Sequence, residues 1–394
     1  MKYCGFCGGP IEEGQRYCAH CGRFQGHGQS FSQEDSARQS SDSSQRKPEN
    51  NASFIDRLND YVGNDRPADL NWRVLFTDVF KRHSKEEAED IFICGTRMTT
   101  PHLKDVSRDW PHPWLYSRVF VMFLLAFFLL WVCCAVFGNT NALPGFIVVG
   151  SFAVPLATMV LFLELNAYRD ISLYQIIQIF LVGGCASLVA TLFIFSFVDI
   201  GELNFYGALM TGIIEELGKA LIVCYFISNL KKMNILGGML IGAAVGAGFA
   251  AFESAGYALQ PLMAFMQYAG YSAAYGQQLN TGEMLDFIYN IIILRGFLAP
   301  GGHVAWAAIS GAALVIAAKG RGFVSFDTLT EGKFLRLFAI PVILHTLWDS
   351  PLAAMLGGEY FFSYIALSLG VWIVLLILIN MGLAEVNRSK DLYQ

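Results

Sequence analysis

Long apolar runs constrain the fold of this chain more than any other feature. From Arg118 onward they repeatedly reach the length of about 20 residues that an α-helix needs to cross a bilayer. The whole sequence is 54% hydrophobic and 15% charged, a balance too apolar for ordinary soluble domains. These features predict an all-α polytopic membrane protein. About eight transmembrane helices are predicted, at residues 118–137, 143–165, 174–198, 207–229, 236–259, 302–318, 334–356 and 361–383.

A further apolar stretch, residues 284–299, is shorter and contains Arg295, which favours an interfacial or re-entrant helix. Lysines and arginines test the topology because they concentrate on the cytoplasmic side of a membrane. They fall in alternate connections between the predicted spans, whereas residues 260–283 contain none. The pattern predicts that both termini are cytoplasmic. The basic positions are Arg169, Lys231, Lys232, Lys319, Arg321, Arg388 and Lys390.

The first 24 residues contain two CxxC pairs separated by ten residues, at Cys4, Cys7, Cys18 and Cys21, and each pair is followed by glycine. Four thiolates at this spacing can surround one tetrahedral Zn(II), and so short a segment would hardly fold without the metal. Four cysteines that leave no open coordination position favour a structural zinc site over a redox-active dithiol. No signal peptide is expected before this segment, so we predict a cytoplasmic zinc ribbon that docks a cytoplasmic protein partner.

The rest of the chain divides by composition. Residues 25–50 are rich in Ser, Gln and charges and predict a flexible linker. Residues 51–117 contain amphipathic segments and predict a juxtamembrane cytoplasmic region without chemistry of its own. Residues 118–383 form the predicted transmembrane domain, and residues 384–394 a cytoplasmic tail. The net charge of -5 gives no reason to expect nucleic acid as a partner, and the lipid bilayer is the expected surrounding.

Ionisable residues recur inside four of the predicted spans, where each costs about 2.5–3.5 kcal/mol to insert. Such residues usually face a protein interior and carry function. Helical spacing places His345 and Asp349 on one face of their helix, while Glu216 points about 100° away from Glu215. One of these adjacent carboxylates is therefore expected to face the reaction while the other is supported, for instance by Lys219. The full set is Glu215, Glu216, Lys219, Glu253, His303, His345 and Asp349.

The depth of these residues in the bilayer is also similar. The carboxylates of the set and His345 are expected roughly 9–17 Å below the non-cytoplasmic surface, with His303 nearer to it. Histidines and carboxylates at one depth have the ligand types of a catalytic metal site. A single buried Glu or His is often a satisfied structural group, but the convergence of the set favours a functional pocket. The glycine-rich segment 237–252 is more simply explained by close helix packing than by a nucleotide loop.

The same residues form four motifs that resemble, in order, those of the PrsW family of membrane proteases, relatives of the CAAX prenyl protease and ABI superfamily. The motifs are EExxK at residues 215–219, FExxxY at 252–257, HxxxAxxxG at 303–311 and HxxxD at 345–349. Arg295, eight residues before His303, also fits the family pattern. The resemblance covers about residues 145–360 and leaves the ribbon outside. It implies a protease of the bacterial cell membrane that cuts membrane proteins near their extracytoplasmic side, a single-span anti-sigma factor being one candidate substrate.

The leading hypothesis is a metalloprotease that holds zinc inside the membrane. Glu215 or Glu216 would act as general base towards the activated water, while Arg295 or a histidine would stabilise the oxyanion. Both histidines and one or both of the two remaining carboxylates would hold the metal; the candidate ligands are Glu253, His303, His345 and Asp349.

Three alternatives remain open. The closest is a metal-free glutamate protease, in which a carboxylate activates water and the histidines stabilise the oxyanion. An ion-coupled transporter would use the same buried acids as a relay, but the chain has no convincing inverted repeat. A non-catalytic scaffold would recruit partners through the ribbon and only bind a peptide at the polar cluster.

Overall fold

The computed structural model describes residues 2–3, 10–11 and 53–392, except positions 68, 199, 203, 231, 232, 276–280 and 352–359. The chain divides into two compact units, residues 1–52 and 53–394. In the first unit, strand β1 (Lys2–Tyr3) pairs antiparallel with strand β2 (Pro10–Ile11). The four cysteines of the predicted zinc ribbon and the whole predicted linker lie outside the described residues.

The second unit is helical throughout its regular structure. Three short helices come first: α1 (Phe54–Val62), α2 (Val74–Thr77) and α3 (Lys85–Phe92). The remaining α-helices are α4 (Leu115–Ala135), α5 (Leu143–Leu165), α6 (Leu173–Gln178), α7 (Gly184–Phe195), α8 (Phe205–Ser228), α9 (Ile235–Tyr275), α10 (Thr281–Leu298), α11 (His303–Ala318), α12 (Gly332–Asp349) and α13 (Tyr360–Asp391). A π-helical turn, Ile179–Gly183, joins α6 to α7, and short 3₁₀ turns occupy Leu103–Asp105, Thr140–Ala142, Ala299–Gly301 and Phe326–Thr330.

Six helical segments of the described chain are long and apolar enough to cross a membrane. They are Leu115–Ala135, Thr140–Leu165, Leu173–Phe195, Ile235–Gln267, Met284–Ala318 and Phe361–Asp391. Helices α8 and α12 coincide with the two other predicted spans, and each carries three charged residues. The all-α polytopic membrane fold is therefore confirmed, while the number of eight spans and their orientation stay predictions.

Two boundaries differ from the sequence prediction. Helix α9 continues to Tyr275 rather than ending near residue 259, with Pro261 inside it. Helix α10 covers the short stretch at 284–299, and Ala299–Gly301 connects it directly to α11. Hydropathy marks where a helix leaves apolar surroundings, whereas the backbone hydrogen bonds of a helix can continue beyond that point.

Close backbone packing joins α9 to α11 at the centre of the bundle. Gly238, Gly242 and Gly246, spaced one turn apart on α9, contact the α11 backbone at Gly311, Ala307 and His303, respectively. A Cβ atom added at Gly242 would lie 2.0 Å from the carbonyl oxygen of Ala307. The interpretation of this glycine-rich segment as a packing surface is confirmed, and it brings the two helices together beside the polar residues.

The segment before α4 folds onto the membrane domain. The carboxylate of Glu164, near the end of α5, accepts hydrogen bonds of 2.8–2.9 Å from the backbone amides of Trp114–Tyr116. These amides have no partners within α4 because they begin the helix. The hydroxyl of Tyr61 also donates to the carbonyl oxygen of Arg336, at 2.7 Å. The predicted juxtamembrane region is thus attached to the bundle at both of these points.

We expect Gly242→Ala to lower the free energy of unfolding by about 1–3 kcal/mol, because its methyl group would press the α9 and α11 backbones apart. The unfolding midpoint of the purified protein in detergent measures this effect. Gly256→Ala is the matched control on the same helix, since its Cβ would meet none of the described atoms within 4 Å. Equal midpoints for the two variants would contradict close packing as the basis of this interface.

Candidate active site

Helix α8 supplies a buried ion pair to the site. Glu216 and Lys219 are fully buried, and Glu215 is 7% exposed. The Lys219 Nζ lies 2.6 Å from Oε1 of Glu216 and 3.8 Å from Oε2 of Glu215. One ammonium can reach both carboxylates because they precede it by three and four residues along the helix. Of the two adjacent carboxylates, Glu216 is the one that Lys219 supports by a hydrogen bond.

His303, the first residue of α11, links α8 to α9. Its Nδ1 lies 2.9 Å from the Nζ of Lys219, and its Nε2 lies 2.9 Å from Oε2 of Glu253. An ammonium only donates, so Nδ1 accepts, and the proton of a neutral imidazole is assigned to Nε2, which donates to Glu253.

His345 on α12 completes the link between α8 and the end of its own helix. Its Nδ1 lies 2.9 Å from Oε1 of Glu216, and its Nε2 lies 3.3 Å from Oδ2 of Asp349 and 3.7 Å from Oε2 of Glu215. Because Glu216 is paired with Lys219 and accepts, the proton of neutral His345 is assigned to Nδ1. Its Nε2 lone pair then faces Glu215 and Asp349.

The most exposed part of the site surrounds Arg295 of α10. The guanidinium donates from Nη2 to Glu253 and from Nε to Oγ of Ser254, the latter at 2.9 Å, and it lies 4.5 Å from the ring centre of Tyr257. The side chain of Arg295 is 28% exposed and that of Asp349 is 26% exposed. These two side chains therefore mark where a substrate can approach the otherwise buried cluster.

All eight predicted intramembrane site residues thus lie in one connected network that spans α8 to α12. Among the described residues, one group has the geometry to hold a metal: ligand atoms of Glu215, His303 and His345 all lie within 4.8 Å of one another. Oε2 of Glu215 is buried and has no hydrogen-bond partner within the part of the chain that the structure describes. Tetrahedral zinc with bonds of about 2.0–2.2 Å places ligand atoms about 3.3–3.6 Å apart, close to the Glu215–His345 separation.

This group differs from the metal set predicted from the sequence. It contains both predicted histidines, but it adds Glu215, which the sequence assigned to acid–base chemistry. Glu253 is instead held by Arg295 and His303, and Asp349 contacts His345. Helical spacing gives the face on which a residue lies but not the direction of its carboxylate, so the ligand roles of Glu253 and Asp349 stay predictions.

An aromatic shell that the sequence analysis missed surrounds the network. The ring of Trp306 stacks on His345 with 4.5 Å between centroids and meets His303 edge-on at 5.0 Å. The Nζ of Lys219 lies 4.4 Å from the ring centre of Phe249, which favours the buried cation. Helical spacing contained a signal for both rings, because Trp306 lies three residues after His303 and Phe249 four residues before Glu253.

A family model described as a PrsW family intramembrane metalloprotease matches residues 172–379, more than half of the chain. The chain belongs to the PrsW family. It has no match among the curated proteins or the solved structures. The matched region begins at α6 and ends within α13, 27 residues later at its start and 19 later at its end than the predicted 145–360. It contains every predicted intramembrane site residue.

The PrsW motifs also contain residues that serve packing. In the HxxxAxxxG motif, Ala307 and Gly311 contact the α9 glycines. In the FExxxY motif, Phe252 meets Phe152 edge-on at 5.6 Å, and Tyr257 lies beside Arg295. These contacts give a packing reason for the small residues and the aromatic residues at these motif positions.

Lys219→Met should lower the free energy of unfolding by about 3–5 kcal/mol, because it leaves Glu216 buried without its cation. Denaturation of the purified protein in detergent measures this loss. The double variant Lys219→Met with Glu216→Gln removes both charges and should recover most of the stability. A single variant as stable as the unaltered protein would show that the ion pair does not hold the cluster together.

Proposed function

We propose that this membrane peptidase of the PrsW family hydrolyses peptide bonds of membrane protein substrates at the cluster around Glu215, His303 and His345. The observation that carries the proposal is that Oε2 of Glu215, buried 3.7 Å from Nε2 of His345, accepts no hydrogen bond from the described residues. An unsatisfied buried carboxylate oxygen is costly unless a ligand, water or substrate group completes it. Its position beside two histidines suits water activation.

The donor set fits a divalent metal, for which zinc is our choice. Glu215, His303 and His345 would hold it, and Glu216 would orient His345 through its Nδ1, as carboxylates do behind metal-binding histidines. Bound zinc would polarise the scissile carbonyl and lower the pKa of a coordinated water. Ligation through Nε2 of His303 would require the neutral ring to carry its proton on Nδ1 instead, with Lys219 no longer donating there.

Residues of the chain itself would transfer the protons, stabilise the oxyanion and position the histidine. Asp349 is within 3.3 Å of His345 Nε2 and partly exposed, so it can take the proton of the attacking water and return it to the leaving amine. Arg295 can donate to the substrate carbonyl oxygen as negative charge develops there. Lys219 stays out of reach of substrate, and its role is to keep Glu216 ionised and His345 oriented.

The tautomer of His303 favours a second candidate, the metal-free glutamate protease. With its Nδ1 accepting from Lys219 and its Nε2 donating to Glu253, His303 offers no lone pair to a metal. Glu215 would then act as the general base itself, taking a proton from water and passing it to the leaving amine. The family match favours either protease over the ion carrier and the scaffold.

Several finer assignments accompany the proposal. The substrate is a membrane protein, a single-span anti-sigma factor being the candidate that the family resemblance suggests, and cleavage takes place near the extracytoplasmic side. The bacterial membrane location and the two cytoplasmic termini rest on the same resemblance and on the loop charges. A zinc ribbon at Cys4, Cys7, Cys18 and Cys21 would bind a cytoplasmic protein partner.

Glu215→Gln should reduce substrate cleavage by at least about 100-fold in either protease, because it removes a ligand or the general base. Proteomic comparison of membrane-protein fragments in cells that carry the unaltered or the substituted chain measures the loss and identifies the substrate. Glu202→Gln, at an exposed loop position, is the matched control and should leave the fragments unchanged. Persistence of the same fragments with Glu215→Gln, at equal protein level, would refute the proposed site.

A further inference from the structure

A cavity that is unconnected with the proposed chemistry lies at the other end of α11. Its volume is about 510 Å³, within the range of about 300–1,000 Å³ that is typical of ligand sites. Five segments far apart in sequence line it, within residues 100–106, 168–170, 233–234, 315–322 and 385–389. Lys319 at this end is sixteen residues from His303, so roughly 24 Å of helix separates the cavity from the active site.

The cavity lies where membrane helices end. Helix α5 ends at Leu165, α9 begins at Ile235 and α11 ends at Ala318, and the lining residues directly follow or precede these points. In a bilayer this is the level of the lipid headgroups, whichever way the protein is oriented. Phospholipids are the most abundant amphipathic molecules at that level.

One wall of the cavity is built around Asp170. Its two carboxylate oxygens accept from Nδ2 of Asn166 at 3.1 Å and from Nδ2 of Asn234 at 2.8 Å, and both asparagines are buried. The preceding residue, Arg169, has a φ of +47°, a strained conformation for a side-chain-bearing residue. Strain of this kind is often found at ligand sites, and the two asparagines hold the carboxylate of Asp170 in place.

Lys319 and Glu385 contribute one positive and one negative charge to the cavity lining. Their closest atoms, Nζ and Oε1, are 3.4 Å apart, and the other Glu385 oxygen accepts from the backbone amide of Ile235 at 2.8 Å. The Lys319 side chain remains 41% exposed. With Asp170, two carboxylates face one ammonium, so the cavity can take a group with a positive end and a negative end.

Hydroxyl groups and apolar side chains complete the lining. Burial and the nearby charge of Glu385 raise the pKa of Tyr168 to about 12, so its hydroxyl keeps its proton near neutral pH. Ser389 offers a second hydroxyl beside it. Leu103, Met233 and Val315 form an apolar surface suited to hydrocarbon rather than to a fully polar solute.

We propose that this cavity binds a phospholipid whose headgroup carries a primary ammonium. The ammonium would donate to Asp170 and Glu385, the phosphate would accept from Lys319 and Tyr168, and the first acyl carbons would cover the apolar surface. A choline headgroup has no N–H donor and cannot make the first of these contacts. The bound lipid would connect the segment before α4 to α9 and α11, the helices that carry Glu253 and His303.

The test uses the purified full chain in detergent, with phosphatidylethanolamine or phosphatidylcholine of the same acyl chains added. Binding to the folded state alone raises the unfolding midpoint, so the ethanolamine lipid should stabilise the protein more. Lys319→Met should weaken its binding about tenfold, as expected for one charged hydrogen bond. Lys333→Met, at an exposed position outside the cavity, is the control and should bind as the unaltered protein does.

Soluble phosphoethanolamine distinguishes a lipid ligand from a soluble ligand that carries the same headgroup. It should stabilise far less than the lipid because it leaves the apolar surface uncovered. If phosphoethanolamine and phosphatidylethanolamine raised the unfolding midpoint equally, the ligand would be a soluble aminophosphate and the lipid proposal would be wrong. Equal effects of the two lipids, or an unchanged response in both Lys319→Met and Asp170→Asn, would overturn the site itself.

Discussion

The buried ammonium of Lys219 is the interaction on which the rest of the site depends. A charge removed from water inside a membrane bundle must be neutralised by neighbours. Glu216 and His303 take its hydrogen bonds, and the Phe249 ring lies 4.4 Å away. Through Glu216 the same charge fixes His345, so one lysine on α8 sets the positions of histidines on α11 and α12.

Small residues make this arrangement geometrically accessible. Glycines on α9 allow the α11 backbone to approach so closely that no side chain could fit between them. His303 begins α11 and Glu253 lies farther along α9, so this packing places the imidazole 2.9 Å from the carboxylate. A packing feature of the apolar bundle thereby determines an ionic contact in the candidate active site.

The sequence predicted the membrane fold and the residues of the polar cluster, because buried charges in apolar helices are rare and their spacing reveals a shared face. It did not predict that Lys219 would donate its hydrogen bond to Glu216 rather than to Glu215, because both carboxylates are within reach of the ammonium. Contacts across helices, such as Trp306 on His345, depend on rotamers and helix rotation that a single sequence does not contain. The cavity beside Lys319 is lined by five segments that are far apart in the sequence, so it could not be predicted for the same reason.

Zinc-edge X-ray absorption tests the central claim, that Glu215 and the two histidines form a metal centre. The measurement uses the full chain with Cys4, Cys7, Cys18 and Cys21 replaced by Ser, so that a ribbon contributes no signal. We predict about one zinc per chain with only nitrogen and oxygen neighbours at about 2.0–2.2 Å, lost in Glu215→Gln. A chain that cleaves its substrate fully without bound metal would contradict the claim and establish the glutamate mechanism instead.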